Sequence, residues 1–545
     1  MRMTIPKKRA ISGTMLSDAR MRRSRRIAFR SLPIVGTPPN PTYIGPVPIP
    51  AVVRCAVIAA PHREAKLPTR WFALAVLCVL AAACTGAPEP AATGTGGVSG
   101  TVEAGPATAF VGVTVIPMDR ERVIAGQTVV VRGNRIVEIG SMIDVEVPAG
   151  ATQVDGRGKF LMPGVAEMHG HYPNPEQAEF TEAVLFLYVA NGVTLVRGMQ
   201  GNASHLPLRD AIEAGEIVGP RLFVCAPSMS GNSVQTVEDA ERLVREAAAA
   251  GFNHLKVHEG LTPEVYAAIA STANEVGITF SGHVSNLVGL YSALQQGQTT
   301  IDHLDNFIEA MIDDREAVAA AGLFDLPQLV TQIDESKIGE VVAATVEAGA
   351  GVVPTEVLWE TFLGGRTGEE MIAARPELRY WLPEGRQGLG QGVSQWAEQA
   401  DQRRATLPSP DAGRPVIELR RRLIKELYDA GVPVLLGTDS PQVFSVPGFS
   451  IHHEMQVMVE SGLTPYEVLH SGTKAVADFY GAGDFGTVAP GQRADLVLLN
   501  ANPLDDVSSF ADNAGVMVNG RWIPRAEIEA RLAEIEAMMA AGGAG

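Results

Sequence analysis

Cysteine is scarce in this chain, at 4 of 545 residues. Cys55 and Cys78 lie in a front segment that reads as removed on export, so only Cys84 and Cys225 remain, and a disulfide framework is excluded. Basic residues are scarce beyond that segment as well. Residues 1–84 hold 14 of the 44 Lys and Arg but 2 of the 61 Asp and Glu, which leaves 30 against 59 for the rest. So acidic a surface argues against nucleic acid or anionic lipid as a partner. Long apolar runs are few, and the strongest, Trp71–Cys84, is too short to span a bilayer. What remains is the composition of a globular protein, 46% hydrophobic and 19% charged. The length exceeds what one core usually serves, so a large catalytic domain with a smaller companion is expected.

The front end reads as targeting. Arg63, Lys66 and Arg70 precede "WFALAVLCVLAAAC", which has a charged region, an apolar core and a small-residue exit. Ending on Ala-Ala-Ala-Cys, it resembles a bacterial lipoprotein signal whose cysteine, Cys84, becomes the lipidated first residue. Export to a periplasmic or outer-membrane position follows, with the membrane met through the lipid anchor only; the alternative is an ordinary signal cleaved near Ala83. Residues 85–107 have a flexible linker's composition.

From about Thr108 to Gly164, β-branched runs such as "QTVVVRGNRIVEIG" alternate with turn residues, and similar material returns over residues 484–524. Two halves of one small antiparallel β-domain, a β-sandwich, are expected around a long insertion. Ile528, Leu532, Ile535 and Met539 trace one face of a closing helix over residues 525–545. Between the halves, over residues 165–483, helical stretches end at a glycine and a short apolar strand follows at once. This happens at Gly192, Gly251, Gly277, Gly297, Gly349 and Gly431. Glycine is favoured just past a helix C-terminus, and apolar strands alternating with helices imply a buried parallel sheet. With "RLFVCA" and the strand entering "EMHGH" there are eight units, the count of an α/β (β/α)8 TIM-type barrel.

Active groups in such barrels sit at the C-terminal strand ends. Here the first strand ends in His169 and His171, the fourth carries Lys256, the fifth ends in His283, the sixth in His303 and the eighth in Asp439. Residues two apart in a strand share a face, so His169 and His171 both point into the mouth. Paired imidazoles suit a divalent metal, with Gly170 leaving room for it. A lone strand histidine is more often core than ligand; five coincident positions overrule that reading. His254 is assigned to barrel packing and His258, nearer the mouth, to substrate contact. His452 and His453, beside Ser450, read as capping or surface residues.

The motifs "PGVAEMHGH", "HLKVHEG", "SGHVSN", "TTIDHLDN", "GTDSP" and "GTVAPGQRADLVLLN" together resemble the amidohydrolase superfamily of metal-dependent hydrolases. The resemblance spans about residues 108–525 and is greatest to the branch holding imidazolonepropionase-like proteins and prolidase-like dipeptidases. It implies two Zn2+ ions, with His169, His171 and Asp439 at the more buried and His283 and His303 at the more exposed. Lys256, carboxylated by carbon dioxide, would bridge them as a carbamate. An ammonium cannot bind a metal, whereas a carbamate offers two anionic oxygens. Asp439 would then pass a proton from the attacking water to the leaving amine. Glu167 departs from the family, where aspartate is more usual, but points away from the metals.

The implied activity is hydrolysis of an amide bond in a small-molecule substrate, a dipeptide or an N-acyl amino acid. Two alternatives stand: a mononuclear imidazolonepropionase-like cyclic amidohydrolase or deaminase, with His303 polarising the carbonyl, and a binding lipoprotein that has lost turnover. The gap from His303 to Asp439 exceeds what two βα units need. Its excess, residues 355–415 with Tyr380, Trp381 and Trp396, reads as a helical insertion, either a lid over the mouth or a contact in a homo-oligomer.

Overall fold

The computed structural model describes residues 107–322, 325–386 and 389–542. Cys84, the leader and all but the last residue of the linker lie outside these residues. Among the described residues no helix is long and apolar enough to cross a membrane.

The barrel forms as the glycine-punctuated pattern implies. Its strands are Val165–Gly170, Val193–Gly198, Arg221–Phe223, His254–Val257, Thr279–Gly282, Thr300–Asp302 and Gly351–Val353, with an eighth extended segment at residues 434–436. Every neighbouring pair is parallel. The ring closes where Leu435 N donates to Val352 O at 2.9 Å and Met168 N to Leu436 O at 2.9 Å. Helices Val237–Ala250 and Pro263–Val276 end at Gly251 and Gly277, whose φ values of +85° and +76° allow the left-handed cap that returns the chain to the sheet. Each starts on a threonine, Thr236 or Thr262, whose side chain accepts from the third residue on. One continuous core joins the strands' outer faces to the helices around them.

The β-domain differs in detail from the expected antiparallel sheet. A single eight-stranded sheet runs Arg521–Pro524, Asn513–Val518, Leu496–Leu499, Phe160–Pro163, Ala107–Val115, Ile124–Arg132, Arg135–Ser141, with Thr152–Asp155 beside Ala107–Val115. Ala107–Val115 pairs parallel with both Thr152–Asp155 and Phe160–Pro163, because the chain crosses over between them instead of turning back as a hairpin. Leu496–Leu499 pairs antiparallel with Phe160–Pro163 and so joins the two halves. Phe110 meets Trp522 edge-on at 5.1 Å although three strands separate theirs, so the sheet folds over its own core. The closing helix, Arg525–Ala540, buries Ile528, Leu532, Ile535 and Met539.

The insertion supplies helices Glu356–Leu363, Gly368–Ala374 and Val393–Thr406. Its aromatic residues turn inward: Trp381 stacks on Trp396 at 5.6 Å, with Phe180 and Phe444 against them.

Candidate metal centre

At the C-terminal ends of the strands the side chains singled out in the sequence converge. His171 Nε2 lies 2.6 Å from Asp439 Oδ1, His169 Nε2 3.6 Å from the same oxygen, and His303 Nε2 3.9 Å from Asp439 Oδ2. Lys256 Nζ is 3.1 Å from His169 Nε2. The His283 ring stacks on that of His303, with centroids 4.4 Å apart. One ligand atom each from His169, His303 and Asp439 fits within 4.8 Å, the spacing of groups that share a cation. His303 Nε2 is buried without a hydrogen-bond partner among the described residues. A buried lone pair left unmet is costly, and a metal would meet it.

The backbone is strained where these groups sit. His303 has φ +63° and Asp439 +61°, and Leu304 and Asn306 are also left-handed. For residues other than glycine this costs of order 1–3 kcal/mol each, and such strain gathers at active sites. Hydrogen bonds across the barrel hold it: His303 N donates to Val353 O and Asp439 N to His169 O, each at 2.7 Å.

A second layer aims the ligands and escaped sequence reading. His169 Nδ1 is 2.7 Å from Asp302 Oδ2, His283 Nδ1 2.7 Å from Asp305 Oδ2, and His303 Nδ1 2.8 Å from Thr355 Oγ1. Hydrogen bonds hold the Nδ1 atoms of His283 and His303, whereas His169 Nδ1 lies close to Asp302 without hydrogen-bond geometry, and groups placed in this way behind Nδ1 leave Nε2 for a metal, as outer groups do for metal-ligating histidines. Asp302 also accepts from Arg197 Nη2 at 3.0 Å and from Thr300 Oγ1 at 2.6 Å. Both partners of that ion pair are buried within the barrel. Asp302 and Asp305 flank His303 in "TTIDHLDN", so two acids beside a ligand were the available signal. Glu167 is turned to Thr438, accepting from its N at 2.7 Å and its Oγ1 at 2.6 Å, and from His169 N at 3.1 Å. It buckles the first strand to the eighth next to two ligands, and burial pushes its carboxyl up to about 8.

Burial also holds the His283 imidazole down at about 3, and keeps His169 and His303 well below the ordinary range. These rings therefore present lone pairs at neutral pH, the form a cation binds. Burial lowers the Lys256 ammonium too, which favours its free amine.

A cavity of about 430 Å³ opens above these groups. His258 stands on its wall, its ring 4.2 Å from that of His283. His254 bonds Gly198 O at 3.1 Å inside the barrel, as packing requires. His452 bonds Asn191 and His453 bonds Glu377, both away from the centre.

No described residue of the insertion lines the cavity, and its three large aromatics, at 2–6% exposure, pack between the barrel helices and the loop after the eighth strand. The His171 side chain is 16% exposed, whereas that of His303 is 3%. His171 stands one residue beyond its strand, while His303 begins a left-handed turn whose residues Leu304 to Phe307 are all buried.

The profile described as "Amidohydrolase family" matches residues 160–523. The chain belongs to the amidohydrolase family. It is accordingly a hydrolase of carbon–nitrogen bonds that acts on small molecules, in a family that generally binds divalent metals. Ochratoxinase of Aspergillus niger is 22% identical over 426 residues, 74% of this amidohydrolase and 83% of the relative. Bottromycin amidohydrolase superposes with a TM-score of 0.59 at 21% identity, covering 79% of this chain and 90% of that one. A Xaa-Pro dipeptidase with methionine bound in its active site gives 0.55 at 19%, covering 77% and 100%.

Proposed function

We propose that this amidohydrolase is an exported, lipid-anchored enzyme with two zinc ions and a carboxylated Lys256, cleaving dipeptides or N-acyl amino acids. The observation that carries this reading is the convergence of four imidazoles, Asp439 and Lys256 at one end of the barrel, all but His303 lining one cavity. His169, His171 and Asp439 would hold one ion, His283 and His303 the other. When bound, the ions supply Lewis acidity toward the scissile carbonyl and a hydroxide nucleophile at neutral pH. The Lys256 ammonium, disfavoured by burial, would give up one proton to become the amine, whose lone pair would attack carbon dioxide with loss of a second proton, leaving a carbamate anion that could serve as a metal ligand where the ammonium could not. Asp439, at the cavity floor, takes the water's proton on a carboxylate oxygen and returns it to the leaving nitrogen. Asp302, Asp305 and Thr355 keep the rings aimed while this occurs.

The test is a screen of purified protein against dipeptide and N-acyl amino acid libraries, with metal counted alongside. Turnover of either class with about two zinc ions per chain is expected. Hydrolysis confined to lactones or phosphotriesters sinks the substrate assignment. For export, mass spectrometry of the native N-terminus should find a lipidated Cys84, and an unmodified start elsewhere removes the anchor.

A further inference from the structure

The cavity contains a carboxylate that neither the metal ligands nor the proton transfer uses. Glu259 lies on its wall, two residues beyond the fourth strand, His254–Val257. Its main chain is fixed: Gly231 N donates to Glu259 O at 3.1 Å, and a Cβ on Gly231 would fall 2.1 Å from Gly260 O, so the two loops pack backbone to backbone. One oxygen each of Glu259 and Asp305 and one nitrogen of His283 lie within 4.8 Å of one another. Asp305 is 4% exposed, and its Oδ1 has no hydrogen-bond partner among the described residues. Glu309, also buried, is a third acid that raises the Glu259 carboxyl.

Among the described residues no side-chain hydrogen bond or ion pair reaches the Glu259 carboxylate. Lys256 is the one Lys or Arg among the residues lining the cavity, and the metals claim it. Burial and the neighbouring Asp305 and Glu309 push the Glu259 carboxyl up to about 8, as follows for clustered acids that no cation of the wall besides Lys256 answers, and a positive group arriving there would hold it ionised through a charge-assisted hydrogen bond. A substrate carboxylate would find no arginine fork, only neutral groups such as Ser228, Ser230 and Asn232.

We infer that Glu259 is a specificity residue that receives a protonated amine close to the scissile carbonyl, either the free α-amine of the acyl residue or a basic group on its side chain. Built on the amide-hydrolase reading, this ranks free-amine dipeptides above their N-acylated counterparts.

The zinc-loaded enzyme tests it through ratios of kcat/KM. One arm compares alanyl-leucine with N-acetyl-alanyl-leucine; the other compares N-acetyl-lysyl-leucine with N-acetyl-norleucyl-leucine. At least one arm should favour the amine by about tenfold to a hundredfold, the worth of a charged hydrogen bond. The arm that responds identifies the amine's source. Glu259→Gln should bring that ratio toward one, Glu259→Asp should keep part of it, and bound metal should stay constant in both. Ratios near one in the wild type, a ratio that survives Glu259→Gln, or loss of metal from that variant each overturn the inference. Calorimetric binding of alanine and lysine against their α-N-acetyl and side-chain N-acetyl forms reads the same subsite without turnover. An amine preference there that depends on Glu259, with no amide hydrolysed, refutes the hydrolase reading and upholds the subsite; hydrolysis without amine preference does the reverse.

Discussion

Asp302→Asn replaces the one carboxylate that faces both Arg197 and His169. Asp302 is fully buried and Arg197 is 2% exposed, with Nη2 3.1 and 3.0 Å from the two carboxylate oxygens. The amide removes the counter-charge but leaves the guanidinium in the barrel, and breaking a buried pair in this way costs about 3–5 kcal/mol. The amide has one oxygen where the carboxylate had two, and its NH2 must point at Arg197 or the Thr300 hydroxyl, both of which the carboxylate met as an acceptor, or toward His169 Nδ1, which lies 2.7 Å from Oδ2. His169 consequently loses the group that aims its Nε2, worth about 10–100-fold in metal affinity. Urea unfolding of chelator-treated protein measures the first effect, and zinc retention against a competing chelator the second. The double variant Arg197→Met, Asp302→Leu separates them: it removes both charges, so it should regain much of the stability and none of the metal affinity. If Asp302→Asn unfolds at the wild-type urea midpoint and holds zinc as tightly, neither the buried pair nor the aiming contact matters as argued.

Asp439→Asn should keep the fold by circular dichroism while turnover drops by at least about a hundredfold, the scale of losing a general acid-base; near wild-type turnover removes Asp439 from the mechanism. Lys256→Ala should lose the second metal and most activity, with partial rescue by a short carboxylate, as metal analysis and kinetics will show. One metal in the wild type, retained with full activity in Lys256→Ala, hands the site to the mononuclear reading, with His303 polarising the carbonyl. Trp396→Ala should destabilise the chain by about 3–5 kcal/mol, the usual cost of deleting a buried tryptophan, and leave KM unchanged because the ring is remote from the cavity. A changed KM with unchanged stability would favour a role for the insertion over the mouth. Cys84→Ser should release active enzyme from the membrane fraction, and continued sedimentation with membranes argues against a lipid anchor.

The sequence by itself determined what depends on neighbours along the chain. Helix caps at Gly251 and Gly277, apolar strands directly after them and alternation within each strand are local properties, so the barrel and the inward direction of His169, Lys256, His283, His303 and Asp439 could be read from it. The closing helix was legible for the same reason, since its buried face follows from a 3.6-residue period. Tertiary structure alone decided which residues meet across the barrel. Arg197 and Asp302 are 105 positions apart, Glu167 and Thr438 are 271, and His303 and Thr355 are 52. Alternation says that a side chain points inward but not what faces it, because that partner is set by strand order and register around the ring. The same limit holds for the insertion, whose Trp381 and Trp396 stand among charges in the sequence and are buried only by helix packing. It explains Glu259 too: an acid after a strand is common, and only the assembled cavity shows that no cation answers it.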